Sequence, residues 1–218
     1  IIVLNTGSPI KMPWIKKASS IIQTWYAGQE FGNALVDIIT GDVNPSGKLP
    51  TTFPINIEDT PAFKSYPGKD LQMNYEEKNL VGYKWYDKKS ISTLYPFGHG
   101  LSYTKFKYSN LIISNIGENR ISCKFILKNI GPVSGSEISQ CYVGYQCEDK
   151  SEPIKKLQGF DKSFLNSQES KEIEIILNPN NFRAWDIIKK EWVIRKGSYK
   201  VYIGSSSEDI HLSEHIKL

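Results

Sequence analysis

The side chains able to do chemistry in this chain are few and scattered. Acid–base work needs a carboxyl, imidazole or thiol within hydrogen-bond reach of the reacting group. The carboxylates to weigh are Glu30, Asp42, Glu76 and Glu77. Glu30 falls in the first turn of an expected helix, where a carboxylate interacts favourably with the helix dipole, a structural placement. Asp42 opens a turn, and Asp in such places hydrogen-bonds its own backbone. Glu76 and Glu77 are adjacent in an expected extended segment and project to opposite sides, the wrong disposition for a cooperating pair. His99 stands between Gly98 and Gly100, residues that let backbone run where a Cβ would clash; it reads as a turn histidine, with lining of a site as the alternative. His211 and His215 are four apart, but on an expected terminal strand rather than a helix, so they make no metal pair. Cys123, Cys141 and Cys147 show no CxxC or Cys/His spacing that would cage a metal. Three cysteines cannot all pair with one another, so at least one is free or pairs outside this chain. Cys123 and Cys141 fall on apolar faces of alternating runs, where a thiol behaves as a small hydrophobe. Gly204-Ser205-Ser206-Ser207 follows a strand, yet no Lys or helix continues it, so it is a strand-end turn and not a phosphate cradle.

The elements that position these residues divide by pattern near residue 105. Ile2–Leu4 is an apolar run ended by Asn5-Thr6-Gly7-Ser8-Pro9, followed by a short helical stretch around Trp14–Lys17 and a second apolar strand over Ile21–Tyr26. Phe31, Ala34, Leu35, Ile38 and Ile39 then recur with helical spacing until Gly41, which suits a left-handed cap. Continuous apolar strands alternating with helices predict a parallel sheet covered on both faces. Two such units cannot close a sheet core, and the chain opens on Ile1 with methionines only at 12 and 73, so it is expected to be part of a longer polypeptide. Residues 42–72 carry too much Pro and Gly for a regular element, and Val81, Tyr83 and Trp85 alternate as a short strand.

From Tyr108 onward, apolar residues alternate with period two in short runs, clearest at Leu111–Ile113, Ile121–Leu127, Ile138–Tyr145, Ile173–Leu177 and Tyr199–Ile203. About seven such strands predict an antiparallel sandwich of immunoglobulin or fibronectin type III kind. The fold class is therefore a partial α/β parallel-sheet domain followed by an all-β sandwich.

Composition narrows the partners. The 218 residues carry 27 Lys+Arg and 23 Asp+Glu, a formal charge of +4, too mild to imply a nucleic-acid or membrane-surface partner. With 39% hydrophobic and 23% charged residues the chain is expected to fold around at least one core. No stretch approaches the roughly 20 apolar residues of a membrane span. The doublets Lys16-Lys17, Lys155-Lys156 and Lys189-Lys190 read as solvated. Tyr83, Trp85, Tyr86, Tyr95 and Tyr103 cluster around the junction of the halves, and such rings either pack an interface or stack on sugars; packing is the simpler reading.

Several runs together resemble a known family. Asn5-Thr6-Gly7-Ser8-Pro9, Trp25-Tyr26-Ala27-Gly28-Gln29-Glu30, Gly41-Asp42-Val43-Asn44-Pro45-Ser46-Gly47-Lys48-Leu49-Pro50 with Thr52-Phe53-Pro54, and Pro96-Phe97-Gly98-His99-Gly100-Leu101-Ser102-Tyr103 resemble the C-terminal part of glycoside hydrolase family 3, the β-glucosidase family. Val81-Gly82-Tyr83-Lys84-Trp85-Tyr86-Asp87, Lys156-Leu157-Gln158-Gly159-Phe160, Trp192–Gly197 and Gly204–Ile210 are similar to its fibronectin type III-like module and the approach to it. The resemblance implies an organisation of 1–75 as the end of the α/β sandwich domain, 76–107 as a connecting segment and 108–218 as the fibronectin type III-like domain.

It implies further that an upstream (β/α)8 barrel and the rest of the α/β domain normally belong to the same polypeptide. In the family the nucleophile is an Asp on the barrel and the acid/base is usually a Glu on an upstream loop. Neither motif has a counterpart here, so no catalytic, cofactor-binding or metal-binding residue is expected in this chain and no cofactor is implied. The expected activity of the whole is retaining cleavage of terminal β-glucosyl or β-xylosyl residues, this chain supplying scaffold and being inactive alone. Glu76 keeps a second reading near an active-site rim. A non-catalytic carbohydrate-binding or adhesion module, or a complementing subunit, is the alternative, favoured if coplanar Trp or Tyr faces are exposed. Residues 1 to about 75 are expected to be less stable alone than the module from about 108 to 218.

Overall fold

The computed structural model describes residues 1–149 and 151–218. Strands β1 (Ile2–Leu4) and β2 (Ile21–Gln23) pair in parallel, Ile2 opposite Ile21 and Leu4 opposite Gln23. The second strand stops short of Tyr26 because Trp25 takes a left-handed backbone, φ 55°, which breaks the extended run. A 3-10 turn at Ile15–Lys17 lies between them. Helix α1 (Phe31–Thr40) ends at Gly41 with φ 89°, its N–H returning to the Ile38 carbonyl. Leu4, Met12 and Phe53 form the buried centre of this half, with Ile2, Ile21, Trp25, Leu49 and Tyr95 packed around them. No residue of α1 is buried.

The proline-rich run crosses to the other half through β3 (Phe53–Pro54), antiparallel to β4 (Thr93–Tyr95), with helix α2 (Tyr83–Lys89) between them. The alternation of Val81, Tyr83 and Trp85 predicts a strand, and the structure corrects this. Gly82, at φ 61°, starts a helix whose Tyr83, Tyr86 and Asp87 share one face at helical spacing. Five residues are too few to separate a period of two from one of 3.6. Glu76 and Glu77 likewise lie in a turn rather than an extended segment: Lys78 N–H reaches the Tyr75 carbonyl, Leu80 N–H reaches that of Glu77, and Lys78 is left-handed at φ 51°.

Beyond residue 105 the chain is a sandwich. One sheet runs β5 (Phe106–Asn115), β6 (Ile121–Asn129) and β9 (Ser170–Leu177); the facing sheet runs β13 (Ile210–Lys217), β12 (Ser198–Gly204), β7 (Gly135–Tyr145) and β8 (Lys156–Leu165). Strands β10 (Arg183–Asp186) and β11 (Glu191–Ile194) form a separate hairpin. The sheets hold the seven expected strands, all antiparallel, and their inward residues, Cys123, Phe125, Leu127, Cys141, Leu165, Leu177, Val201 and Ile203 among them, make one fully buried core.

Candidate functional site

The richest concentration of buried polar chemistry lies where the α/β half meets the sandwich. Gly47–Pro50 runs alongside Gly98–Gly100: Leu49 N–H donates to the His99 carbonyl and Gly98 N–H to that of Leu49, each at 2.8 Å. The approach is too close for side chains. A Cβ on Gly98, whose φ is 81°, would lie 2.1 Å from Gln140 Oε1, and one on Gly100 would lie 2.2 Å from the Gly47 carbonyl oxygen. This contact brings Lys48 over β7, where its Nζ meets Glu137 Oε1 at 3.0 Å. Tyr108 OH donates to the same oxygen at 3.0 Å and accepts from Ser139 Oγ at 3.4 Å. Burial holds the Glu137 carboxyl above its ordinary value, and the Lys48 ammonium offsets this in part.

A second buried pair sits on α2. Lys155 Nζ reaches Asp87 Oδ2 at 2.6 Å with both side chains only 10% exposed. Burial pushes the Asp87 carboxyl upward and Lys155 opposes it. Lys155 is thus a buried counter-ion and not the solvated residue its sequence suggests; Lys156 pairs with Glu152 at 2.8 Å, and Arg195 meets the other oxygen of Glu152 at 2.7 Å. Gln140 Nε2 donates to the carbonyls of Gly98 and Ser205, while Tyr142 OH donates to Gln140 Oε1 at 2.5 Å. Asn44 closes the rim, donating to the Ser134 carbonyl at 2.9 Å and accepting from Tyr103 N–H at 2.8 Å.

The residues that chemistry singled out are not brought together. Glu30 Oε2 accepts from Asn33 Nδ2 at 2.7 Å, and Asp42 Oδ2 accepts from Thr40 Oγ1 at 2.6 Å; both carboxylates are exposed and locally bonded. Glu76 is exposed, while one oxygen of Glu77 is buried without a hydrogen-bond partner among the described residues. His99 stacks on Tyr95 at 5.0 Å, and burial followed by the Lys48 charge lowers its pKa, so it is neutral at ordinary pH. His211 stacks on Tyr108 at 4.4 Å. Among the described residues no three His, Cys, Asp or Glu side chains converge as metal ligands.

The junction aromatics pack on one another. Tyr83 stacks on Phe97 at 4.8 Å and meets Tyr142 edge-on, its OH accepts from Leu157 N–H, and Trp85 Nε1 donates to the Asp59 carbonyl. Tyr103 is half exposed, yet its OH is tied to the Ile38 carbonyl. The exposed pair Trp185 and Trp192 stands at 71°, perpendicular and not coplanar. Two of the cavities bear on the site. One of about 30 Å³, room for one or two waters, is lined by Glu152, Lys156, Arg195 and Tyr199. The other, about 570 Å³, lies open between β2 and α1, is lined mainly by Ile22, Phe31, Ala34, Leu35 and Ile38, and carries Glu30 as its one carboxylate.

Sequence reasoning missed Lys48, Asp87, Glu137, Gln140 and Lys155. A signal was present for Glu137, which occupies the same parity on β7 as Ser139, Cys141 and Val143 and so points inward with a charge. For Lys48 and Asp87 the partners lie 89 and 68 residues away, beyond any local pattern.

Residues 1–103 match the glycosyl hydrolase family 3 C-terminal domain and residues 137–207 match the fibronectin type III-like domain. Thermostable β-glucosidase B of Acetivibrio thermocellus is 41% identical over 221 residues, covering 100% of this chain and 29% of its own length. A β-glucosidase of Bacteroides ovatus is 41% identical over 217 residues, covering 96% of this chain and 29% of its own length. Among solved structures, the Bifidobacterium adolescentis family 3 β-glucosidase superposes with a TM-score of 0.94 at 36% identity, over 99% of this chain and 32% of its own. The Kluyveromyces marxianus β-glucosidase bound to glucose gives 0.93 at 35%, over 100% of this chain and 26% of its own. The chain therefore spans less than a third of these relatives. Matched along its whole length by such proteins and carrying both modules in order, it belongs to glycoside hydrolase family 3, of which it is a C-terminal portion.

Proposed function

We propose that this chain is the C-terminal scaffold of a retaining glycoside hydrolase that releases terminal non-reducing β-D-glucosyl, or β-xylosyl, residues, and that it carries neither catalytic carboxylate. Retention requires two carboxyls about 5 to 5.5 Å apart across the glycosidic bond, one nucleophilic and one acidic. The observation that carries the reading is how the buried carboxylates here are used. Glu137 is neutralised by Lys48, Asp87 by Lys155, and Glu152 by Lys156 and Arg195, while the roomy cavity between β2 and α1 holds a single carboxylate. Such pairs join segments; they do not flank a substrate. The reading assigns 1–75 to the α/β domain, 76–107 to the connection and 108–218 to the fibronectin type III-like module. The nucleophile and acid/base are supplied by an upstream (β/α)8 barrel and the preceding part of the α/β domain, normally in the same polypeptide.

The test is direct. The purified 218-residue chain is expected to give no turnover of aryl β-glucosides or β-xylosides above buffer. Robust hydrolysis that disappears on Glu30→Gln, Asp42→Asn, Glu76→Gln or Glu77→Gln would place a catalytic carboxylate in this chain and overturn the scaffold reading.

A further inference from the structure

Cys123 and Cys141 are both fully buried, in opposite sheets of the sandwich. Backbone register shows that they sit face to face. In one sheet Cys123 on β6 lies opposite Ile175 on β9; in the other Cys141 on β7 lies opposite Gly159 on β8. A Cβ placed on Gly159 would be 2.7 Å from Ile175 Cγ2, so β8 lies directly over β9 at this level. One strand inward in each sheet, at the same level, are the two cysteines, and both belong to the same core cluster. A bridge between the sheets needs a closer approach than usual. Facing sheets ordinarily stand about 10 Å apart, whereas a disulfide needs Cα atoms roughly 4.4 to 6.8 Å apart. The missing side chain at Gly159 lets the β8 backbone come close to Ile175 of the facing sheet beside the cysteine pair. The neighbouring Cys123 thiol, with burial, holds the Cys141 thiol well above its ordinary pKa, as a thiol against a thiol in a dry core requires.

We propose that Cys123 and Cys141 are a redox pair that closes an inter-sheet disulfide when the chain folds in the presence of a low-molecular-weight disulfide. One cysteine, as thiolate, attacks a sulfur of the small disulfide and expels one small thiolate, leaving a mixed disulfide on the protein. The second cysteine, deprotonated in turn, attacks the protein sulfur of that mixed disulfide and expels the other. The two protons lost by the cysteines end on the two small thiols, the protein is oxidised by two electrons and the small disulfide is reduced by two. Attack requires a thiolate with access to solvent, so closure belongs to the stage before the sheets pack, and the folded reduced form resists oxidation. Cys147, exposed beyond the end of β7, stays outside the pair.

The experiment refolds the full chain from denaturant in parallel, once with a mixture of reduced and oxidised glutathione and once with dithiothreitol. Each sample is then alkylated under denaturing conditions. The expected result is one alkylated cysteine, Cys147, after glutathione and three after dithiothreitol. A proteolytic digest of the first sample yields a Cys123–Cys141 linked peptide that separates on reduction. The oxidised sample melts at the higher temperature, and that gain vanishes when reductant is added. Cys147→Ser is expected to form the same cross-link and shift. Three alkylated cysteines after glutathione refolding, a cross-link that includes Cys147, or a chain that folds in dithiothreitol but not in glutathione each overturns the proposal.

Discussion

Among the described residues up to 103, Leu4, Met12, Phe53, Leu80 and Tyr86 are the buried apolar side chains, whereas the sandwich gathers fifteen around one centre. The physical reason is architectural. Two antiparallel sheets cover each other, so an alternating strand hides its apolar face within its own module. A parallel strand and its helix need cover on more than one side, and α1 presents Leu35 and Ile38 to an open cleft. The comparison shows that one half of this chain closes its own core and the other is finished by contacts to something else. Within the chain that something is the sandwich, reached through Lys48, Asn44, Gly98 and Asp87. The poorer half is moored to the richer one by hydrogen bonds, by buried ion pairs and by the packing of Tyr83 against Tyr142.

The sharpest way to break this picture is to cut a mooring. Lys48→Met leaves the Glu137 carboxylate buried opposite Tyr108 without its counter-ion, and is expected to cost about 3 to 5 kcal/mol at neutral pH. Thermal melts across pH give the sign. Burial raises Glu137 above its unfolded value of about 4.3, so within the window between that value and the raised one the native state keeps a proton that the unfolded chain has lost. Unfolding there releases a proton, the stabilisation is complete below the window, and it is lost as pH rises through it. Asp87 acts in the same direction. Lys48→Met is expected to push the decline to higher pH; a variant that melts like the parent at every pH would mean the pair moors nothing.

The cores themselves give the next contrast. Leu177→Ala, at a side chain with no exposure, is expected to lower stability by about 2 to 5 kcal/mol in urea titrations. Leu35→Ala on the open face of α1 is expected to cost under about 1 kcal/mol, because little packing is lost. Equal costs would show that α1 is as well packed as the sandwich. The junction backbone gives a third contrast. Gly98→Ala puts a Cβ 2.1 Å from Gln140 Oε1 at a left-handed φ, and is expected to cost about 1 to 3 kcal/mol. Gly47→Ala on the neighbouring segment meets nothing within 4 Å and is expected to leave the urea midpoint nearly unchanged.

Local chemistry was sufficient for much of this protein. The apolar run Ile2–Leu4, the helical spacing from Phe31 to Ile39, the Gly41 stop and the period-two strands from Ile121 to Ile203 are all set by neighbours within a few residues, and the structure follows them. The family was legible for the same reason, since its turns repeat residue types at short spacing. The candidate site was not legible. That α2 is a helix depends on Tyr83 and Asp87 finding Leu157 and Lys155 on the sandwich, contacts no five-residue window contains. Residues 48 and 137, or 123 and 141, become neighbours only when two sheets and a crossing segment stack. Hydrophobic period decides which face of a strand turns inward; what it meets there is decided by the register and layering of elements distant in sequence, because burial is paid for by the whole core at once.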